Sequence, residues 1–467
     1  MKEHWQTEKQ DVASQKAESH KMRLGFVCLA RKAFDHAMAR SMAEKARSRL
    51  SGLAGSLVVP QDWIIESLKQ AAAAVEDFQT GHVDAVLVLC GTFASAELVL
   101  HIIERLGVPV IIWTVPEPDL GDYLHLNSLV GGNAVTSALY KLGYPYKFYY
   151  HSVDDERFYD ALGRYLRVLG LARAIRAARI GVLGGRPAGF QDIVFDELFL
   201  RRKIGFQLHM IELVDVIARS NRVSEEAAGD LARKWRSEYS VAGPTSEELV
   251  TMGRLYRALK DLSEENQLDV LAVRCLPEVW EQLGITPCAA LSVLTDEGLP
   301  ASCEADVLGA ATMYIHRWLS GGQAPFISDL ISIDAARNRG RLWHCGLAPA
   351  CMAADRSKIC LSRHYTRKTG VTMEFSLKPG PITLSRLDIV GQDCRMLIAS
   401  GSVTGEDIKL KGSVADVTFS ENVVALLDTI INQGFPHHFT MTYGDIREEL
   451  KDLCGLMDIR VVTAGAP

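Results

Sequence analysis

The chain has 467 residues, 48% of them hydrophobic and 23% charged, with 51 basic against 57 acidic side chains and a net charge of −6. At about 100–200 residues per domain, this length corresponds to about two to four domains with ample material for apolar cores. The composition excludes a disordered, collagen-like or disulfide-stapled chain, and the mildly acidic balance leaves no electrostatic footprint for nucleic acid or an anionic membrane.

The first 21 residues are polar and mixed in charge, without the apolar core of a signal peptide, and are expected to form a disordered arm. From Arg23 to Pro116 short apolar runs alternate with amphipathic ones. LGFVCLA predicts a strand, Phe34–Leu50 a helix, GSLVVP a strand and Asp62–Phe78 a helix; VDAVLVLC and VPVIIWTVP predict strands flanking a helix near Ala94–Leu106. Continuous Val/Ile/Leu strands separated by helices belong to a parallel sheet covered on both faces. The stretch Leu124–Ala172 reads as helical and returns the chain to this domain. A second unit of the same kind opens at RIGVLGG (179–185) and continues through QLHMIEL, helices at Val223–Tyr239 and Thr245–Glu265, and the strand LDVLAVRCL. After about residue 340, VTMEFSL, PITLSRLDIV and RMLIASGSV alternate with period two, which predicts an antiparallel meander in a small barrel or sandwich. A last helix, Ile446–Leu456, has Asp445 as its expected N-cap. The predicted fold is α/β: two doubly wound, Rossmann-like α/β domains (22–175 and 176–338) followed by a C-terminal β-barrel-like domain (339–467). No apolar run approaches the about 18 residues of a membrane-spanning helix. The ten cysteines form no CxxC pair and read as reduced thiols of a cytoplasmic protein.

The motifs exclude several chemistries. GGRPAGF (184–190) is a Gly-rich turn after a strand but has neither the GxGxxG nor the GK[ST] spacing, so at most Arg186 offers an anion or hydroxyl partner. The absence of GxSxG, HExxH and a Cys-His knuckle disfavours a serine hydrolase, a zincin and a zinc finger. Three segments gather acids and histidines. In LTDEGLPASCEADV, Ser302 is a candidate helix cap with Glu304 in the first turn, where an acid complements the helix dipole. In PFISDLISID, Asp329 sits among apolar residues, costly for a carboxylate that is neither paired nor metal-bound. In GFPHH, adjacent histidines entering a strand point to opposite sides, so at most one is expected to share a site with the acids. His344 lies in a similar setting in RLWHCGLAP. Two carboxylates with one or two imidazoles suit a divalent cation of intermediate hardness, Mn²⁺ best, with Mg²⁺, Co²⁺ and Fe²⁺ as alternatives.

These segments resemble the L-fucose/L-arabinose isomerase family of metal-dependent aldose–ketose isomerases. The resemblance is carried by TDEGLPASCEADV (295–307), Ser328-Asp329, LWHCGLAP (342–349), PGPITLSRL (379–387) and GFPHH, with GTFASAE (91–97) and LNSLVGGN (126–133) upstream. It implies a metal held by Glu304, Asp329 and His438, with Glu304 and Asp329 also moving the protons of an ene-diol mechanism, in an order the sequence leaves open. As metal-bound groups both acids are expected to have low pKa values. His344 lies in the region where a further histidine ligates in the arabinose branch; because the fucose branch uses two acids and one histidine, it is taken as a contact to the substrate or behind the ligands. Asn127 and Ser128 are expected to bind sugar hydroxyls from a neighbouring subunit. The resemblance further implies a three-domain subunit ending in a β-barrel, and trimers or hexamers with the active site at a subunit interface. Because the local sequences are far from both named branches, an unusual C6-modified hexose, deoxy or sulfonated, is the alternative substrate. A non-catalytic sugar-binding sensor built from the tandem α/β domains is the alternative of a different class, disfavoured by the terminal β domain and His438.

Overall fold

The computed structural model describes residues 22–465 apart from residues 54 and 120; the expected disordered arm, 1–21, lies outside the described residues. The chain divides into two compact units, Met1–Gly170 and Leu171–Pro467. The protein is of mixed α/β class, with parallel sheets and a mixed C-terminal sheet.

In the N-terminal unit, strands Ser56–Val58, Arg23–Leu29, Ala85–Cys90, Val110–Thr114 and Tyr146–Tyr150 lie side by side in that order, all parallel. Ala85–Cys90 and Val110–Thr114 are buried at every position, which is why they read as unbroken apolar runs. Two expectations are corrected here. The stretch read as wholly helical contains the strand Tyr146–Tyr150, whose aromatic YKFYY run favours a pleated surface. The helix expected from Asp62 begins at Leu68, because Ile64–Ile65 pairs with Arg23–Leu29 and Ser67 supplies the cap.

The C-terminal unit carries a parallel sheet in the order Ala301–Ser302, Val270–Val273, Arg179–Leu183, Gln207–Ile211. Its other sheet has ten strands. Around it, Asp393–Val403, Gly380–Val390, His438–Tyr443, Phe326–Asp334, Arg339–His344 and Ser413–Phe419 pair in succession, and the last pairs back to the first, all antiparallel. Arg460–Val462 and Thr372–Ser376 add in parallel, Cys360–Ser362 pairs antiparallel with Thr372–Ser376, and Ser240–Ala242 lies parallel to Cys360–Ser362. The antiparallel meander expected from the sequence is thus part of a mixed sheet, and its antiparallel ring starts at Phe326, before the change of rhythm near residue 340. The last helix runs Arg447–Met457 with Ile446 at the N-cap, one residue later than expected, and Asp445 accepts from the Arg447 N–H instead. Among the described residues no helix is long and apolar enough to cross a membrane.

The helix Val307–Leu319 packs against both sheets of this unit. On it, His316 is fully buried between the Ser385 hydroxyl (2.6 Å) and the Thr442 hydroxyl (3.1 Å). Burial pushes its pKa down to about 3. The folded value lies below the unfolded one of about 6.5, so acid protonates the unfolded chain first. Stability is therefore lost as pH falls from about 6.5 towards 3, at up to about 1.4 kcal/mol per pH unit. Denaturant midpoints at pH 7 and pH 5 test this: His316→Gln should remove about 2 kcal/mol of the wild-type decline between them. Parallel declines in the two proteins would show that His316 is not the source.

Candidate functional site

Glu304 follows the strand Ala301–Ser302, so it sits at the carboxyl end of a parallel strand, where open α/β sheets place ligands. It is not in the first turn of a helix, and Ser302 is not a cap. Asp306 caps Val307–Leu319, its carboxylate accepting from the Gly309 N–H at 2.8 Å, while the Ser302 hydroxyl is tied to the Asp306 carbonyl. Between strand and helix, Glu304 and Ala305 both take left-handed backbone angles, φ 59° and 51°. Non-glycine residues held there cost about 1–3 kcal/mol each, and the turn is fixed by Ala305 N–H to Val273 O and Asp306 N–H to Cys303 O, both 3.0 Å.

Asp329 and His438 are direct cross-strand partners on Phe326–Asp334 and His438–Tyr443, so their side chains share one face. His438 Nε2 lies 3.6 Å from Glu304 Oε2 and 3.8 Å from Asp329 Oδ1. The structure thus brings the three expected metal-binding residues together, from three elements far apart in sequence. His438 Nε2 and Asp329 Oδ1 are buried and have no hydrogen-bond partner. Burial pushes the Asp329 carboxyl up and outweighs His438 and His437, which pull it down; the low value expected of a metal-bound carboxylate is not what the protein groups alone produce. Two unpartnered buried atoms beside the Glu304 carboxylate are what a divalent cation would satisfy, and the N/O donor set suits such an ion.

The tautomer of His438 agrees. Its Nδ1 sits 3.0 Å from Asp306 Oδ2. Burial opposes the charged Asp306 carboxylate, but Arg386 and His438 outweigh it and hold the carboxyl well below the usual range. An ionised Asp306 can only accept, so Nδ1 carries the proton, and Nε2 is the nitrogen turned towards Glu304 and Asp329. Asp306 and Arg386 form an ion pair that is almost wholly buried. Gly309 makes room for it: a Cβ there would come within 2.5 Å of Asp306 Oδ2. Sequence reading missed Asp306, although its signal, an acid two residues after Glu304 and ahead of an apolar helix, was in plain view.

It also set His437 aside. His437 immediately precedes the strand that begins at His438, so strict alternation does not govern it, and both histidines face Glu304. His437 Nε2 lies 3.1 Å from Glu304 Oε2, and its Nδ1 lies 2.5 Å from Asp192 Oδ2. Burial opposes its protonation, but the hydrogen bonds to Glu304 and Asp192 prevail and lift its pKa to about 9. Glu304, His437 and His438 offer ligand atoms all within 4.8 Å of one another.

His344 is buried and stacks on His438, with ring centroids 5.5 Å apart. Its Nδ1 accepts the Cys345 backbone N–H at 2.9 Å, and burial pushes its pKa far down. The neutral ring then carries its proton on Nε2, a buried donor with no protein partner. That tautomer leaves an N–H, not a lone pair, on the unpartnered Nε2.

Arg186 is exposed on the loop after Arg179–Leu183, at the same carboxyl edge as Glu304, and hydrogen-bonds the Pro187 carbonyl. The loop is anchored further on, where Phe190 packs 5.8 Å from the His437 ring and Asp192 binds it. Asn127 and Ser128 belong to the N-terminal unit. Asn127 is the left-handed N-cap of Ser128–Lys141 (φ 54°), and its side chain caps nothing. Ser128 is buried, donating to the Cys90 carbonyl and accepting from the Val115 N–H. Its hydroxyl is therefore occupied within the fold and not open to a sugar.

Residues 25–179 match the fucose/sulfoquinovose isomerase N-terminal domain, and residues 342–464 match the L-fucose isomerase C-terminal domain. The chain is 31% identical over 437 residues to the sulfoquinovose isomerase of Priestia aryabhattai, covering 93% of this chain and 97% of that one. It is 30% identical over 389 residues to that of Alkalicoccus urumqiensis, covering 81% and 86%. Among solved structures, a periplasmic solute-binding protein from Actinobacillus succinogenes with bound D-allose is 15% identical, covering 65% of this chain and 93% of that one, at a TM-score of 0.17. A score that low carries no argument for a sugar sensor.

Proposed function

The chain belongs to the fucose/sulfoquinovose isomerase family of aldose–ketose isomerases, and from that premise we propose that it interconverts a 6-sulfonated aldohexose and the corresponding ketose. The observation that carries this reading is the 31% identity over 97% of a sulfoquinovose isomerase. The meeting of Glu304, Asp329 and His438 supports a metal-dependent isomerisation.

In this reading Glu304, Asp329 and His438 Nε2 hold a divalent cation, Mn²⁺ or else Mg²⁺, Co²⁺ or Fe²⁺. When bound, the cation polarises the sugar's carbonyl and hydroxyl oxygens and acidifies the C–H beside the carbonyl. One of the two carboxylates carries the proton between C2 and C1, and the other moves the hydroxyl proton, through an ene-diol. The protonated His437 donates its Nε2–H to Glu304 Oε2 and holds that carboxylate in place. His344 donates its Nε2–H to a sugar oxygen, and Asn127 offers its amide from the neighbouring subunit's N-terminal unit. The closed ring of strand pairings, which also takes in Phe326–Asp334, supports reading the C-terminal part, proposed as residues 339–467, as β-barrel-like, after the proposed α/β domains 22–175 and 176–338. A trimer or hexamer with the site at a subunit interface completes the proposal. Ten free cysteines support the cytoplasm as its compartment.

The test is conversion followed by NMR for a 6-sulfonated, a 6-deoxy and an unmodified aldohexose, before and after chelation. The reading expects ketose from the sulfonated sugar, loss of turnover on chelation and recovery with Mn²⁺. Equal turnover of all three, or turnover that survives exhaustive chelation, would sink it. Arg186 supplies a sharper test. A charge-assisted hydrogen bond is worth about 1.5–3 kcal/mol, so Arg186→Met should raise KM for the sulfonated sugar about 10–100-fold with kcat little changed. An unchanged KM would remove Arg186 from sulfonate recognition.

A further inference from the structure

Cys288 opens the helix Cys288–Asp296, and Cys345 follows the strand Arg339–His344. Their sulfurs are 3.7 Å apart, in hydrogen-bond contact. We propose that Cys288 and Cys345 form an oxidisable dithiol behind the active site, a modification site that a peroxide closes into a disulfide and that thereby controls turnover.

The position of Cys345 gives the bond its consequence. Its N–H and its sulfur both meet His344 Nδ1, at 2.9 and 3.3 Å, and His344 stacks on His438. The next residue, Gly346, has φ 103°, and a Cβ there would meet Thr372 and Met373 at 2.6–2.7 Å, so the turn has little freedom to absorb movement. Bringing the sulfurs to the about 2.05 Å of a disulfide draws Cys345 from His344 Nδ1 and disturbs the donor that faces the substrate.

The chemistry is in place. The hydrogen bond from Cys345 holds the Cys288 thiol below its ordinary value, with help from the Thr286 hydroxyl, and the thiolate is the nucleophile. Cys345 is the more exposed of the two. A peroxide oxidises one sulfur to a sulfenic acid and leaves as water; the second thiol attacks that sulfur and expels a second water. In balance, two thiols and one hydrogen peroxide give one disulfide and two waters, with two electrons passing from sulfur to oxygen. His364 brings a ring nitrogen within 4.8 Å of both sulfurs, so the trio has the composition of a soft-metal site. Its Nδ1, however, faces the Thr366 hydroxyl at 3.1 Å and the Thr366 N–H at 3.3 Å, which favours a proton on Nε2 and disfavours ligation.

The bond stands independently of the isomerase reading, whereas its effect on turnover rests on it. The full-length, metal-loaded protein is treated with hydrogen peroxide, digested without reduction and mapped by mass spectrometry, with isomerisation assayed in parallel. We expect a peptide cross-linked through Cys288 and Cys345, at least a tenfold loss of turnover, and recovery of both with dithiothreitol. Cys288→Ser should keep basal activity and lose the reversible inhibition. Both thiols remaining free, a disulfide between other cysteines in its place, or a zinc ion retained by Cys288 and Cys345 would overturn the site. A Cys288–Cys345 bond with turnover intact would overturn the control. If neither treated nor untreated protein turned over any sugar, the cross-link map would still decide the site, and the failure would lie with the isomerase reading.

Discussion

Glu304→Gln is expected to lower isomerisation by at least about 10³-fold while the circular dichroism spectrum and the assembly stay as in the wild type. Gln has nearly the same shape, and the left-handed turn at φ 59° and 51° is set by backbone bonds to Val273 and Cys303, so the fold has no reason to change. Lost is a carboxylate that the proposal uses twice, as a ligand and in proton transfer. General acid–base catalysis alone accounts for about 10²–10⁴ in rate. Cation binding provides an independent readout. An ion that binds only the folded protein raises its stability with concentration, so added Mn²⁺ should raise the wild-type thermal midpoint and raise that of the variant much less. A fully active variant, or one with undiminished stabilisation by Mn²⁺, would show that Glu304 is not in the site.

The N-terminal strands were legible because burial on both faces leaves unbroken apolar runs, as in Ala85–Cys90 and Val110–Thr114. The helix expected at Thr245–Glu265 is present as Ser246–Glu265, with Thr245 and Glu248 closing a capping box at its start. Tyr146–Tyr150 was lost because a half-buried edge strand between two helices leaves no such run. The resemblance pointed to Glu304, Asp329 and His438, but their approach depends on a cross-strand register and on two left-handed residues, neither of which is written locally. His437 was set aside by a period-two rule that applies only inside a strand. Asp306 was passed over because nothing near it in sequence names its partner Arg386, 80 residues away.

That last pair bears the second large prediction. Asp306 and Arg386 are almost wholly buried, and Asp306 also holds His438. Asp306→Asn leaves a guanidinium buried without its counter-charge, and breaking such a pair costs about 3–5 kcal/mol. It also replaces the ionised acceptor behind His438 with a neutral amide, and losing such a partner weakens metal affinity about 10–100-fold. The two effects can be separated. Adding Arg386→Met removes the stranded charge, so the double variant should regain most of the lost stability by denaturant midpoint. It should not regain the metal affinity, because the amide still stands where the carboxylate stood. If stability and affinity returned together, Asp306 would act only as the partner of Arg386. If Asp306→Asn alone bound Mn²⁺ as tightly as the wild type, the orientation of His438 would not depend on the charge beneath it.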